Sequence, residues 1–312
     1  MIHFFSILEL TIPFFAVVGL GYAAATTKMI DAKSASAINV FVFYFAMPAL
    51  VIGALARQEI TAILDWRFLG GWLGAALVLF ALGMIVSRVF FKASRREMAL
   101  FGQGSAIANI GFLAIPIAGA TFGPEGVRLS AAALIIDLMI MIPLSIMIIE
   151  SAGGGAVGAS VKRALLGAIR NPFAVAILVG VALSASGLGL PGAAATFSTF
   201  LGSAAAPTAL FALGMSLSQR SLGEDIKPVV TLSLLKLFVH PAATALILYL
   251  VGLPPHLVTI GAVIAAMPVA QNVYVLAEHY GVMVRRASAS ILLSTVAAVL
   301  TISIMLYLLT ST

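Results

Sequence analysis

The sequence predicts an all-α membrane protein in which ten transmembrane helices form two inverted five-helix repeats, with helices 4 and 9 broken near mid-depth. Three observations lead there. First, the 312 residues are 62% hydrophobic and only 9% charged, with a mean hydropathy of +1.16. A soluble domain carries roughly 25% charged residues, so a water-soluble fold is excluded. Second, apolar stretches of about 20 residues recur along the whole chain, each long enough to cross a hydrocarbon core of roughly 30 Å. Third, the halves repeat. Pro13-Phe14 opens an apolar run that reaches Gly21, and Pro172-Phe173 opens another, 159 positions later, that reaches Gly180. The same shift carries Pro48 onto Pro207 and Asn109 onto Pro268. An internal repeat of this kind is a feature of secondary transporters.

The segments follow in order. Segment 1 covers residues 4–26; Met1-Ile2-His3-Phe4 has no basic region and no cleavage site, so it is expected to begin this segment rather than to belong to a removed signal peptide. Lys28 and Lys33 separate it from segment 2 (35–56), which carries Pro48 in mid-run. Arg57 and Arg67 bracket the next turn, and segment 3 (67–91) runs to Arg88, Lys92, Arg95 and Arg96. Segments 4 (98–122) and 5 (126–149) complete a first repeat over 1–150. Residues 151–171 form the longest polar interruption, with Gly153-Gly154-Gly155 ahead of Lys162, Arg163 and Arg170, and read as a flexible cytoplasmic linker. Segments 6 (172–190), 7 (194–217), 8 (228–251), 9 (256–280) and 10 (287–309) form the second repeat over 172–312. Five is odd, so the second repeat enters the membrane from the opposite side. Only helices and closed barrels satisfy their backbone in lipid, and continuous apolar runs of this length exclude the short alternating strands of a barrel.

Charge placement gives the orientation. Lys28, Lys33, Arg88, Lys92, Arg95, Arg96, Lys162, Arg163, Arg170, Arg220, Lys227, Arg285 and Arg286 fall on one side, whereas only Arg57, Arg67 and Arg128 fall on the other. The basic side is therefore cytoplasmic and both termini face out. The net charge of +6 and pI near 9.8 are topology signals, not a nucleic-acid footprint. The chain has no cysteine, so thiol chemistry is unavailable.

Segments 4 and 9 differ from the rest. Segment 4 reads Gly102-Gln103-Gly104-Ser105-Ala106-Ile107-Ala108-Asn109-Ile110-Gly111-Phe112-Leu113-Ala114-Ile115-Pro116, and segment 9 contains Ala266-Met267-Pro268-Val269-Ala270-Gln271-Asn272-Val273-Tyr274. Each places glycine or proline beside an amide side chain near the bilayer centre. Proline removes a backbone donor and clashes with the preceding turn. Interrupted segments at matching positions point to a transporter binding site, and half-helix N-termini suit an anion such as a carboxylate. Ordinary proline kinks are the structural alternative.

These stretches resemble the auxin efflux carrier family, which includes plant auxin exporters and bacterial carriers of malonate- and malate-like acids. The resemblance rests on Asn109-Ile110-Gly111-Phe112-Leu113-Ala114-Ile115-Pro116, Arg170-Asn171-Pro172-Phe173, Ala206-Pro207-Thr208-Ala209-Leu210-Phe211-Ala212-Leu213-Gly214, Pro268-Val269-Ala270-Gln271-Asn272 and Ala277-Glu278-His279-Tyr280-Gly281. It implies a fold like that of sodium/proton antiporters and bile-acid symporters, in which broken helices 4 and 9 cross at the substrate site. Helices 1, 2, 6 and 7 would form a scaffold, and helices 3–5 and 8–10 a moving transport domain. It also implies a bacterial inner (plasma) membrane location and an architecture that often forms homodimers. Ile110 departs from the Ser or Thr of many relatives, so no substrate hydroxyl contact is carried over. The long hydrophilic central loop of the plant carriers is absent.

The expected substrate contacts are Asn109, Gly111, Pro116, Pro268, Gln271 and Asn272. Ionisable residues at depth are costly and functional by default, which makes Asp137, in mid-segment 5, the leading coupling candidate: it could carry a proton, bind Na⁺ or pair with Lys236. Lys236 could instead snorkel. His240, one turn on, shares its helix face and has a packing alternative; Gln103 is the remaining candidate. Glu9 is expected in solvent at the outer interface. No zinc, nucleophile-elbow or nucleotide-binding motif is present, so the chain is not expected to be an enzyme, to hold a metal or to need a cofactor beyond H⁺ or Na⁺ as coupling ion. The expected function is alternating-access transport of small organic anions such as malate, malonate or auxin-like acids. The alternatives are a sodium-coupled bile-acid-type symporter, a channel and a membrane sensor domain.

Overall fold

A computed structural model describes residues 4–31, 33–56, 65–152, 158, 162, 166, 171–219 and 226–310. The side chain of Glu9, and Arg163, Arg170 and Arg220 of the basic loops, lie outside the described residues. All regular elements within them are helical: α1 (Phe4–Thr26), α2 (Ser34–Leu55), α3 (Trp66–Phe91), α4 (Arg95–Ala106), α5 (Ile110–Ser151), α6 (Pro172–Ser186), α7 (Gly192–Leu217), α8 (Ile226–Leu250), α9 (Pro255–Ala265), α10 (Gln271–Tyr280) and α11 (Val284–Thr310). Six of them, α2, α3, α5, α7, α8 and α11, are long and apolar enough to cross a membrane.

Local chemistry sets the helix ends. The Asp65 carboxylate accepts from the backbone N–H groups of Arg67 and Phe68 at the start of α3, and Ser94 with Glu97 forms a capping box on α4. Asn171 accepts from Phe173 N–H while Pro172 fills the first position of α6. Left-handed Gly187 and Gly281 terminate α6 and α10. Within the 42 residues of α5, Gly123 (φ 63°, ψ −149°) leaves helical geometry ahead of Pro124, in the interval that separates segments 4 and 5. A side chain at that φ and ψ would be strongly disfavoured.

Four prolines share one device. Pro48, Pro116, Pro143 and Pro241 each follow a wide π-turn, at Val42–Ala46, Ile110–Ala114, Asp137–Met141 and Leu235–Val239. A proline ring clashes with the carbonyl four residues back and offers no N–H, and the widened turn accommodates both effects. The device also positions function, because Phe43, Asp137 and Lys236 lie in these turns.

Small residues join the helices. α1 runs against the second part of α7 so closely that a Cβ on Gly21 would collide with the Phe211 carbonyl, and one on Gly214 with the Val18 carbonyl. Close backbone approach is how helices pack where lipid removes the hydrophobic drive. α6 rests on the C-terminal part of α2, where Gly180 faces Leu55, and the first part of α7 also packs there. Within this group α1 packs on α7, α7 on α2 and α2 on α6, while α1 also touches α11. A second group has α3 against α4 and α8, α8 against α9 and α11, and α4 against the end of α5. At one end of this group Glu125 pairs with Arg128 at 2.9 Å and with His256 at 3.8 Å. At the other end Arg286 reaches Glu97 at 3.4 Å, and the Tyr280 hydroxyl donates to Glu150 at 3.0 Å.

Candidate functional site

Two helix breaks meet inside the molecule. α4 ends at Ala106 and α5 resumes at Ile110; α9 ends at Ala265 and α10 begins at Gln271. The extended residues between them pair in antiparallel fashion, Ala108 with Val269, and the Asn109 N–H donates to the Pro268 carbonyl at 2.9 Å. Each break thus supplies a backbone partner to the other, as buried polar groups require.

Two groups freed by the second break are taken by side chains. In an unbroken helix the Val269 N–H would donate to the Ala265 carbonyl. Instead it donates to Ser294 Oγ of α11 at 3.1 Å. The Ala265 carbonyl accepts from Lys236 Nζ at 2.6 Å. Lys236 also donates to His240 Nδ1 at 2.6 Å, and both residues are wholly buried. The His240 ring stacks at an angle on Trp72, centroids 5.8 Å apart, and Trp72 Nε1 donates to Asp137 Oδ1 at 3.3 Å. No ion pair joins Asp137 to Lys236 directly; Trp72 stands between Asp137 and the His240 partner of Lys236.

Beside the paired breaks lies a cavity of about 310 Å³. Asn109, Gly111, Gln271, Asn272 and Asp137 line it. Apart from Asn171, its other walls are apolar and include Phe43, Phe112 and Phe173, with Phe43 edge-on to Phe173 at 4.6 Å and 5.9 Å from Phe112. Several polar atoms here are buried and without a hydrogen-bond partner: Asn109 Nδ2, Gln271 Nε2, Asn272 Oδ1 and Asp137 Oδ2. A buried polar atom left unsatisfied costs roughly 1–3 kcal/mol, so these atoms are poised for a ligand. The two amide N–H₂ groups can donate to a carboxylate, and the aromatic walls can cover an apolar body.

Other expected site residues stand elsewhere. Pro268 contributes its carbonyl to the pairing but no wall. Pro116 lines a second cavity of about 340 Å³, with Gly123, Pro124, Ser198 and Gly202. Gln103 is wholly buried with neither amide atom partnered, and is not among the residues around the first cavity. Lys236 does not snorkel, because its ammonium is turned to the Ala265 carbonyl. Trp72, Ser294, Phe43, Asn171 and Phe173 were not singled out as site residues in the sequence. Asn171 and Phe173 stand in one of the quoted motifs, but nothing in the linear order brings Trp72 or Ser294 to the breaks.

Comparison with known proteins gives a consistent picture. The family model described as "Membrane transport protein" (Mem_trans) matches residues 6–306. A Rhizobium meliloti (strain 1021) protein named "Putative malonate transporter" is 29% identical over 307 residues, 97% of this chain and 95% of that protein. An "Uncharacterized transporter" of Methanothermobacter thermautotrophicus is 25% identical, covering 92% of this chain and 93% of its own. The Escherichia coli (strain K12) "Uncharacterized transporter YfdV" is 24% identical, covering 95% of each chain.

Proposed function

The chain belongs to the Mem_trans family of membrane transport proteins, the family of the auxin efflux carriers, and from that premise we propose that it is a secondary transporter of small organic anions. It is a transporter and not an enzyme. One observation carries the proposal: a cavity beside two paired helix breaks, where amide donors without partners lie next to apolar walls. A carboxylate would sit on Asn109 and Gln271, its carbon skeleton against Phe43, Phe112 and Phe173. Among the described residues, no Lys, Arg or His lines the cavity. That composition favours acids with one carboxylate and an apolar body over compact dicarboxylates.

In this reading the ten segments form two inverted repeats. The packing supports it. The shift of 159 carries Gly21 onto Gly180 and Leu55 onto Gly214, so the contact of α1 with α7 and that of α6 with α2 exchange places. The group α1, α2, α6 and α7 would be the scaffold, and the remainder would move against it to alternate access. The cavities lined by Asn272 and by Pro116 would serve the two sides. Asp137, at the cavity wall, would carry the coupling charge, with H⁺ as the ion. A homodimer joined through the scaffold, a bacterial inner-membrane location and both termini outside complete the reading, the last supported by the one-sided basic loops.

The test is uptake of labelled malate, malonate and indole acetate into proteoliposomes holding the purified protein. Saturable uptake of at least one acid, abolished by Asn109→Ala in folded protein, is expected. Absence of flux for every carboxylate would remove the substrate class.

A further inference from the structure

We propose that the Lys236 ammonium is a built-in cation, filling the place at the broken end of α9 where a cation-coupled carrier would bind an alkali-metal ion, so that this protein holds its paired breaks together without Na⁺. The consequence for transport rests on the reading above; the site itself does not.

The argument begins with the backbone. α9 stops inside the molecule, and the negative end of its dipole is exposed there through the Ala265 carbonyl. Val269, whose N–H would have covered that carbonyl, is bound to Ser294. A buried carbonyl of this kind needs a donor or a cation. Around it stands a second lone pair, His240 Nδ1, and Asp137 lies beyond, held by Trp72, on which the His240 ring packs. A carbonyl oxygen, a ring nitrogen and a nearby carboxylate in a dry interior attract a monovalent cation. Lys236 Nζ occupies the position, at 2.6 Å from both the Ala265 oxygen and His240 Nδ1. A metal ion would have to share it with the ammonium. Two unit charges about 4 Å apart repel by roughly 4 kcal/mol even at an effective dielectric of 20, so only one cation fits.

The first half carries no lysine at the matching place. The shift of 159 carries Lys236 onto Leu77, which is partly exposed on α3. At the first break the Ile107 N–H returns to the Gln103 carbonyl and the Asn109 N–H pairs with Pro268.

The experiment compares the thermal unfolding midpoint of the full-length protein in NaCl and in N-methyl-D-glucamine chloride at equal ionic strength. Three variants are included: Lys236→Ala, which opens space for an ion; Lys236→Met, which fills it without charge; and Lys236→Arg, which keeps the charge. The unsubstituted protein and Lys236→Arg are expected to show the same midpoint in both salts. Lys236→Ala is expected to gain about 5 °C from Na⁺ over N-methyl-D-glucamine, and Lys236→Met to gain nothing. Na⁺-dependent stability of the unsubstituted protein would overturn the proposal, as would folded Lys236→Ala that ignores Na⁺. If Lys236→Ala fails to fold in both salts, Lys236→Arg decides: Na⁺-independent folding upholds the proposal, and loss of folding or a Na⁺ requirement overturns it. These midpoints involve no substrate, so they stand or fall separately from the uptake assay.

Discussion

Asn109 donates its backbone N–H to the Pro268 carbonyl at 2.9 Å, and these two residues are also one another's counterparts under the 159-residue shift. The bond therefore ties equivalent points of the two halves. Its donor belongs to the backbone, which leaves the Asn109 side chain free for another partner.

That separation of roles yields the first prediction. Asn109→Ala keeps the backbone bond and removes a side-chain donor that has no partner, so its midpoint should stay within a few degrees. Uptake should fall by at least about tenfold, the effect of losing roughly 1.4 kcal/mol of substrate interaction. Asn109→Pro removes the N–H itself and leaves the Pro268 carbonyl uncovered, which should cost about 1–3 kcal/mol of stability. Uptake and thermal unfolding measured together distinguish the two effects.

Asp137→Asn preserves shape and can still accept from Trp72 Nε1, while removing the charge at the cavity wall. Folding should survive and uptake should lose its dependence on an imposed pH gradient. A variant that responds to the gradient like the unsubstituted protein would take Asp137 out of coupling.

The aromatic wall should set selectivity. Phe173→Ala removes the edge contact to Phe43 and enlarges the cavity. The Michaelis constant for indole acetate should rise more than that for malonate, because a compact dicarboxylate makes little use of the wall. Competition assays with both acids check the ratio.

The glycine contact between α1 and α7 should be intolerant. Gly214→Ala pushes a methyl group into the Val18 carbonyl, and helices packed backbone to backbone must separate. A loss of about 1–3 kcal/mol or more is expected. Gly19→Ala, two residues from Gly21 and with open space around it, is the control and should leave the midpoint unchanged.

Orientation can be read directly, since the chain has no native cysteine. Single cysteines replacing Lys28 or Lys92 should react with a membrane-impermeant maleimide only after the cell is opened. Cysteines at Gly189 or Gly252 should react in intact cells.

Much of the architecture was legible in the sequence because its causes are local. Helix breaks follow from proline, glycine and polar residues within one stretch, and Asn109, Gln271 and Asn272 marked both breaks from within their own segments. Asp137 and Lys236 stood out because a charge amid apolar residues is conspicuous anywhere. Pro116 shows the limit. It shares a motif with Asn109 but lies about two helical turns away, and a helix that continues past a break carries it to a different cavity.

The sequence by itself determined an apolar helical protein, its interruptions and the internal echo of its halves, because composition and proline chemistry act over a few residues. Only the tertiary structure decided what repairs each interruption. Ser294 covers the Val269 N–H, Lys236 covers the Ala265 carbonyl, and Trp72 holds Asp137. These partners lie 25, 29 and 65 residues apart along the chain. The physical reason is that a buried backbone group must find a partner in space, and no periodicity records which distant side chain will reach it.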